Sequence, residues 1–447
     1  MGSLSTADAS ASAKSTTGWI VTFAGTGINL ALGVLYSWSV ISKAIEKEWG
    51  WSGFETSLPY SVALIVFAFA TIPAGRMQDK IGPRWVAAAG GVLVGLGFLV
   101  CGLTNSLWTY MIGFGIIAGA GIGFGYASAT PPAVKWFHKA RTGLIAGIVV
   151  SGFGLASVYT APTAEWLKGA FGIQTAMLIF GIAFFFVVFG LAQLLKPPPA
   201  DYVPPVPAGS NPPLATETAA PEVLEQREFG PGEMLRTPQF YLLWFMYACG
   251  AGAGLMVVSK MAKIADVQAG LSLGFILVAI LAIGNGGGRI LAGFLSDKIG
   301  RTRTLLIIFL LQAILLLILS QTTKDSFLSN AIIMAICSAL IGANYGANLA
   351  VFPAISKDWF GLKNFGVNYG FLFTAWGIGG FVLSQVAGAV YDANQTSPQP
   401  FNQAYFLAAA LLVISGLVTF LVRAPKAAVA PRGFGQGQAT DTVRPNR

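Results

Sequence analysis

Arg289 is the residue whose chemistry stands out, because it lies inside an apolar run that extends from about residue 270 to 296. An arginine in the middle of a membrane-spanning helix costs on the order of 2.5–3.5 kcal/mol on insertion scales and needs a partner. All 18 acidic residues fall in predicted loops, tails or span ends, and no second base is predicted deep in a span. The sequence therefore predicts that the partner is a bound anion, held by the planar guanidinium through two parallel hydrogen bonds.

The residues before Arg289 favour a binding site. Gly286, Gly287 and Gly288 remove bulk beside the guanidinium, and Asn285, four residues earlier, shares its helix face. Its amide offers neutral hydrogen bonds to the same anion. The alternative is that Arg289, roughly 10 Å from the end of its helix, extends its side chain to the aqueous side. Both interpretations remain open from the sequence alone.

Aromatic and polar residues in other spans are predicted to line the same cavity. Tyrosine hydroxyls can donate hydrogen bonds to a carboxylate, and aromatic rings shape a small apolar slot. Each residue is individually also compatible with simple helix packing. The aromatic and polar residues are Tyr36, Tyr126, Asn344, Tyr345, Asn348, Tyr369, Phe373 and Trp376, and the apolar Leu35 and Leu349 are predicted to line the cavity with them.

The elements that must position these residues are membrane-spanning helices. Of the 447 residues, 55% are hydrophobic and only 10% are charged, whereas a soluble protein carries about 25% charged residues. Apolar stretches of about 20 residues mark the spans. Twelve are predicted, near 18–42, 55–76, 85–104, 108–134, 142–168, 172–195, 239–262, 270–296, 303–322, 326–355, 364–390 and 401–423. We expect an all-α, multi-pass membrane protein.

The spans divide into two halves that repeat one another. A 43-residue segment, 196–238, contains 11 of the 23 prolines and is predicted to be a semi-extended linker. The predicted domains are a tail at 1–17, helix bundles at 18–195 and 239–423, the linker between them and a tail at 424–447. The motif at 74–82 recurs at 292–300. Two parallel repeats imply a binding site between them near the midplane, around which the halves rock.

The distribution of basic residues predicts the orientation. Twenty Lys and Arg residues lie on the side of the tails and the linker, and six lie on the other side. We therefore expect a protein of the plasma (inner) membrane with both termini in the cytoplasm. Charges at the repeated loops are predicted gate residues that pair in one conformation only, or else simply determine topology. They are Asp79, Arg84, Asp297 and Arg301.

Several function classes are excluded by composition. His138 is the only histidine, and Cys101, Cys249 and Cys337 stand singly in apolar runs, so we expect no metal, no cofactor and no enzymatic site. The net charge of +9 is dispersed rather than gathered into a stripe, which argues against nucleic acid. The expected partners are a small anion, a proton and membrane lipid, and the protein is expected to be a monomer.

The motifs resemble those of known transporters. The paired loops at 75–82 and 293–300, of the form G-x-x-x-D-K-x-G, resemble the cytoplasmic signature of the major facilitator superfamily. The segments 34–38, 232–240 and 368–371 resemble the oxalate–formate antiporters, and 285–289 is similar to their eighth-helix segment, in which the arginine binds substrate carboxylate. The animal monocarboxylate transporters of the same branch share that arginine.

Departures from these families narrow the expected substrate. Aligned on 368–371, Trp376 occupies the position of a lysine that pairs with the second carboxylate in the oxalate carriers. Asn285 stands where the animal lactate carriers have an aspartate implicated in proton coupling. One buried cation neutralises one carboxylate, so we expect a small monocarboxylate such as lactate, pyruvate, acetate or propionate, moved by alternating access. Symport with a proton is the expected coupling because it makes the moved complex electroneutral, and not because a proton-coupling residue of these families is present. Exchange of two carboxylates, or a transporter-like membrane receptor, are the alternatives.

Overall fold

The computed structural model describes residues 6–138, 142–199, 202–204, 228–361 and 364–425, and their regular elements are all helical. The first half begins with α1, a 3₁₀ segment and α2, which together form one membrane crossing. Its helices are α1 (Thr6–Leu32), the 3₁₀ segment Gly33–Ser37, α2 (Trp38–Trp49), α3 (Gly53–Ile81), α4 (Pro83–Leu103), α5 (Leu107–Tyr110), a π-helical segment at Met111–Ala118, α6 (Gly119–Lys135), α7 (Thr142–Leu155) and α8 (Ser157–Ala192).

The second half follows the linker. Its helices are α9 (Pro231–Met234), α10 (Pro238–Val267), α11 (Gly274–Ile299), α12 (Arg301–Ser320), a 3₁₀ turn at Phe327–Ser329, α13 (Ala331–Phe360), α14 (Phe365–Ala393) and α15 (Asn402–Val418). We call the side of the bundle on which the linker lies the linker side and the opposite side the far side. Helices α10 and α14 run from the linker side to the far side, whereas α3, α11 and α13 run back.

The number of spans agrees with the sequence. Ten helical segments within the described ranges are long and apolar enough to cross a membrane. One of them, Leu144–Ala192, contains two crossings, because Gly172 (φ 79°) interrupts α8 at the predicted boundary between two spans. The shorter apolar helix Asn402–Val418 supplies the last crossing. The prediction of an all-α membrane protein with twelve spans is confirmed.

The sequence repeat is also a structural repeat. Helices α3 and α11 both end at a glycine with positive φ, Gly82 (φ 91°, ψ 154°) and Gly300 (φ 92°, ψ 153°). L-residues rarely adopt this conformation, so the glycine of each motif is required to turn the chain into the next helix. Ser52 and Glu55 form a capping box at the start of α3.

Glycines let several helices approach one another closely. A methyl group at Gly121 would lie 2.7 Å from the Gly90 carbonyl oxygen, and one at Gly377 would lie 2.6 Å from Ala68 Cβ. The second contact joins α14 to α3 and therefore one half to the other.

The described ends of the linker are hydrogen-bonded to the bundle, and its semi-extended conformation stays a prediction. Trp136 Nε1 donates to the Lys196 carbonyl (2.8 Å), and the Tyr202 hydroxyl donates to the Trp136 carbonyl (3.1 Å). At the other end, the Phe229 carbonyl accepts from Asn364 (3.1 Å) and Asn368 (3.0 Å). Backbone groups near the bundle thus find partners at the helix ends.

Candidate substrate site

Arg289 joins the two halves of the bundle at its centre. Arg289 is 7% exposed. Its Nε donates a hydrogen bond to Asn285 Oδ1 (3.2 Å), and its Nη1 donates one to the carbonyl of Val150 in α7 (2.8 Å). Because these partners lie inside the bundle, the guanidinium does not extend to the aqueous side in this conformation.

Two donors of this pair are left without a partner among the described residues, Arg289 Nη2 and Asn285 Nδ2. An unsatisfied buried donor costs roughly 1–3 kcal/mol, and more when it is charged. The two side chains share a helix face and are already joined by a hydrogen bond. A carboxylate, which has two acceptor oxygens, can satisfy both donors at once. The structure thus offers the amide of Asn285 as well as the guanidinium, rather than the guanidinium alone.

Gly154 in α7 keeps space beside this pair. A methyl group at Gly154 would lie 3.4 Å from Arg289 Cζ, Arg289 Nε and Asn285 Cγ. The glycine of one half therefore faces the polar pair of the other at van der Waals distance, and any larger side chain would fill the region beside the guanidinium.

Two predicted tyrosines meet at the interface between the halves. The Tyr36 hydroxyl lies 2.6 Å from the Tyr345 hydroxyl, and Trp376 Nε1 donates to the Tyr345 oxygen (2.9 Å). Tyr36, Tyr345 and Tyr126 each interact electrostatically with Arg289. The three tyrosines are thus within electrostatic range of the guanidinium, and Trp376 orients Tyr345 rather than only occupying volume.

An aromatic wall completes the centre of the bundle. Phe373 stacks on Trp376 with ring centroids 5.0 Å apart and planes 8° apart. Tyr126 packs against Phe67 and Phe153 at 5.3 and 5.4 Å. Phe67 and Phe153 are not among the predicted lining residues, because a phenylalanine within an apolar span carries no signal that separates a site residue from a packing residue.

The remaining predicted lining residues form no hydrogen bond with Arg289 or Asn285 in the part of the chain that the structure describes, although Tyr369 interacts electrostatically with Arg289. Leu35 and Leu349 are buried, but no hydrogen bond or ring contact links them to Arg289. The Asn348 oxygen lies against Gly250, and its amide nitrogen donates to the Asn344 carbonyl (2.9 Å), so that Asn348 packs within the second half. The Tyr369 hydroxyl lies 3.1 Å from the Tyr247 hydroxyl.

The predicted gate residues at the linker side bond within their own halves. Arg84 Nε donates to Gln193 (2.6 Å). Arg301 contacts Asp297 (2.5 Å) and Asp358 (3.0 Å). The side chain of Asp79 lies outside the described part of the structure. The gate role of all four residues stays a prediction.

The seventh span is longer than predicted, and two buried lysines lie within it near its far-side end. Helix α10 continues to Val267, so Lys260 and Lys263 lie within it and are 2% and 6% exposed. Lys263 forms an ion pair with Glu46 of α2, and Lys260 Nζ lies 3.9 Å from the same carboxylate. The burial of these lysines is tolerated because Glu46 supplies an opposite charge. Glu46 belongs to the other half and lies more than two hundred residues away in the chain.

Two repeated six-helix halves around a central polar site define a multi-pass membrane transporter. The chain belongs to the Major Facilitator Superfamily, whose family model matches residues 17–323 and 264–444. This is a family of transporters, and the chain is accordingly a transporter rather than an enzyme.

Individual relatives are identical to the chain at just over a quarter of the aligned positions. The chain is 27% identical to the oxalate:formate antiporter of Oxalobacter formigenes, over 87% of its own length and 88% of the relative's. It is 28% identical to human monocarboxylate transporter 11, over 63% of its own length and 56% of the relative's. A solved bacterial homologue of the human lysosomal transporter Spinster, in an inward-facing and unoccupied conformation, matches 92% of this chain and 96% of that one, with a TM-score of 0.65 and 17% identity.

Proposed function

We propose that the protein moves a small monocarboxylate across the membrane by alternating access, and that Arg289 and Asn285 bind the carboxylate. The observation that carries the proposal is the pair of buried donors, Arg289 Nη2 and Asn285 Nδ2, that have no partner among the described residues. Because the hydrogen bond from Arg289 Nη1 reaches the Val150 carbonyl in the other half, the site lies where rocking of the halves would expose it to each side in turn.

The charge of the site supports a monocarboxylate. Arg289 is the one cation described at the aromatic centre, and one guanidinium neutralises one carboxylate. Trp376 fills the position beyond Tyr345, and its indole nitrogen is committed to the Tyr345 oxygen. A second carboxylate would there meet a ring rather than a cation. Lactate, pyruvate, acetate and propionate fit this description.

Proton symport is the proposed coupling, because the complex moved with a proton is electroneutral. The names of the two relatives support carriage of small organic anions, although one of them is an antiporter. Carboxylate exchange is therefore the second candidate. Both termini and the linker are proposed to lie in the cytoplasm, as the twenty-to-six distribution of basic residues indicates.

Counterflow in proteoliposomes tests the proposal. Vesicles that contain the purified protein are loaded with unlabelled lactate, and uptake of labelled lactate is followed with and without excess oxalate outside. We expect saturable counterflow that acetate and pyruvate inhibit and that oxalate inhibits weakly. A membrane receptor would give no counterflow, whereas a dicarboxylate exchanger would be inhibited most strongly by oxalate.

Proton coupling is measured in the same vesicles. An inward proton gradient imposed without lactate inside should drive lactate uptake above its equilibrium level, and a proton ionophore should abolish that excess. Carboxylate exchange predicts instead that uptake requires internal carboxylate and ignores the gradient.

A further inference from the structure

A cluster of charged residues ties the two halves together at the far side. Its members are Glu46 in α2, Lys260 and Lys263 in α10, and Asp392 in α14, and together with the first turn of α3 we call them the far-side latch. Arg289 lies fifteen residues into α11 from its far-side end, so the latch is roughly 20 Å from the substrate site.

Asp392 caps a helix that belongs to the other half. Its Oδ1 accepts from Gly53 N and its Oδ2 accepts from Phe54 N, both at 2.7 Å. The capping box within the first half joins only Ser52 and Glu55, and the first two N–H groups of α3 are those that Asp392 takes. A carboxylate at a helix N-terminus forms charge-assisted bonds with free N–H groups and is favoured by the helix dipole.

The two lysines bond to the same region of the first half. Lys260 Nζ donates to the Gly53 carbonyl (3.0 Å), and Lys263 forms its ion pair with Glu46. Glu46 also accepts from the Thr56 hydroxyl (2.6 Å). The side chains of the two lysines and of Glu46 are 2%, 8% and 13% exposed, so solvent screens these contacts weakly.

Glycines let the backbones of α3 and α14 approach each other closely at the latch. A methyl group at Gly388 would lie 2.6 Å from the Gly53 carbonyl oxygen, and one at Gly53 would lie 2.8 Å from Asp392 Oδ1. Two glycines thus allow α14 to approach α3 closely enough for the Asp392 carboxylate to reach the helix end.

Each half keeps its charges paired if the latch opens. The first half contributes Lys43 and Glu46, three residues apart in α2, and Lys43 contacts Asp266 of α10 at 3.2 Å in the closed arrangement. The second half contributes Lys260 and Lys263 together with Asp266 and Asp392. Asp392 already interacts electrostatically with both lysines. Separation of the halves therefore leaves an acid for every base of the set on each side, which avoids the cost of an unpaired charge.

We infer that the far-side latch is a conformational gate: it holds the far side closed in the present arrangement and exchanges its partners within each half when that side opens. The gate rests on alternating access as proposed above, but not on the identity of the substrate.

Cysteine accessibility in purified protein tests the gate. Ser61 lies below the latch in α3, is buried, and accepts a hydrogen bond from Gln385 of α14 (2.9 Å). In a Ser61→Cys reporter protein, the three native cysteines, which are all buried, are first replaced by alanine or serine. The rate of reaction with a hydrophilic maleimide is then compared with and without Asp392→Asn.

We expect Asp392→Asn to accelerate labelling about tenfold or more, as for the loss of one charge-assisted hydrogen bond. Asp325→Asn, the same change at an exposed far-side loop residue, is the matched control and should leave the rate unchanged. Glu46→Gln removes the other carboxylate without altering the α3 cap and should also accelerate labelling; it gives the same test if Asp392→Asn does not fold. Unchanged labelling in a folded latch variant would overturn the gate.

Binding of lactate by the same variants separates this inference from the proposed function. Because the latch is remote from Arg289, folded latch variants should still be stabilised by lactate in a thermal-shift titration. If wild-type protein is not stabilised by lactate but the latch variants are labelled faster, the proposed substrate is wrong and the gate stands.

Discussion

Replacing Asn285 by aspartate should make substrate binding depend much more steeply on pH than it does in the wild type. The substitution keeps the shape of the side chain but converts the unpaired Nδ2 donor into an acceptor. It also places a negative charge beside Arg289 Nε, 3.2 Å from the present Asn285 oxygen. The new carboxylate would neutralise the cation that the substrate is proposed to use and would repel the substrate carboxylate.

The magnitude follows from the distance between the two carboxylates. At about 4 Å and an effective dielectric constant of about 20, two like charges repel by about 4 kcal/mol, or roughly a thousandfold in affinity. Protonation of the introduced carboxyl group removes that repulsion and restores a donor. Affinity should therefore be highest at acidic pH and should fall by up to tenfold for each pH unit above the pKa of that group, until the thousandfold limit is reached.

Calorimetric titration of purified protein with lactate at several pH values between about 5 and 8 measures this dependence. Asn348→Asp is the matched control, because that amide packs against Gly250 within the second half and should add no comparable pH dependence. If Asn285→Asp binds lactate at pH 8 as tightly as the wild type, Asn285 is not part of the site.

Three further changes give distinct expectations. Trp376→Lys should lower the melting temperature of the empty protein, since it buries a cation, and oxalate should restore part of the lost melting temperature. A folded variant whose ligand preference in thermal-shift titrations is unchanged would contradict the one-cation explanation of specificity. Gly154→Ala places a methyl group 3.4 Å from Arg289 Cζ and should weaken lactate binding severalfold more than acetate binding. If the variant binds each ligand as tightly as the wild type does, the space beside Gly154 is not used by the substrate. Ser210→Cys, in a part of the linker outside the described residues, should react with an impermeant thiol reagent only after cells are opened, and labelling of intact cells would refute the proposed orientation.

The membrane fold could be predicted because its signals are local. Apolar length fixes each span, and the glycines at 82 and 300 have matching dihedral angles because the same motif ends both helices. The C-terminal end of α10 was harder to predict from the sequence. Lys260 and Lys263 suggest the end of a span, but the helix continues to Val267, and Glu46, which pairs with Lys263, comes from another helix.

The candidate site was predictable only where a residue type is rare at its position. Arg289 stood out because a base within an apolar run needs a partner. Its hydrogen bond to the Val150 carbonyl could not be predicted, because it requires the packing of α7 against α11. Phe67 and Phe153 were missed for the same reason: only the fold shows that their rings contact Tyr126.

The role of Arg289 as the carboxylate ligand is tested most directly by equilibrium titration of lactate into purified Arg289→Lys and Arg289→Gln proteins beside the wild type. Lysine keeps the charge but cannot bond Asn285, Val150 and a carboxylate in the planar geometry of a guanidinium, whereas glutamine removes the charge and keeps a donor. We expect Arg289→Gln to show no measurable binding and Arg289→Lys to lose roughly ten- to hundredfold in affinity, equivalent to one or two charge-assisted hydrogen bonds. Folded Arg289→Gln protein that binds lactate with wild-type affinity would contradict the proposed site.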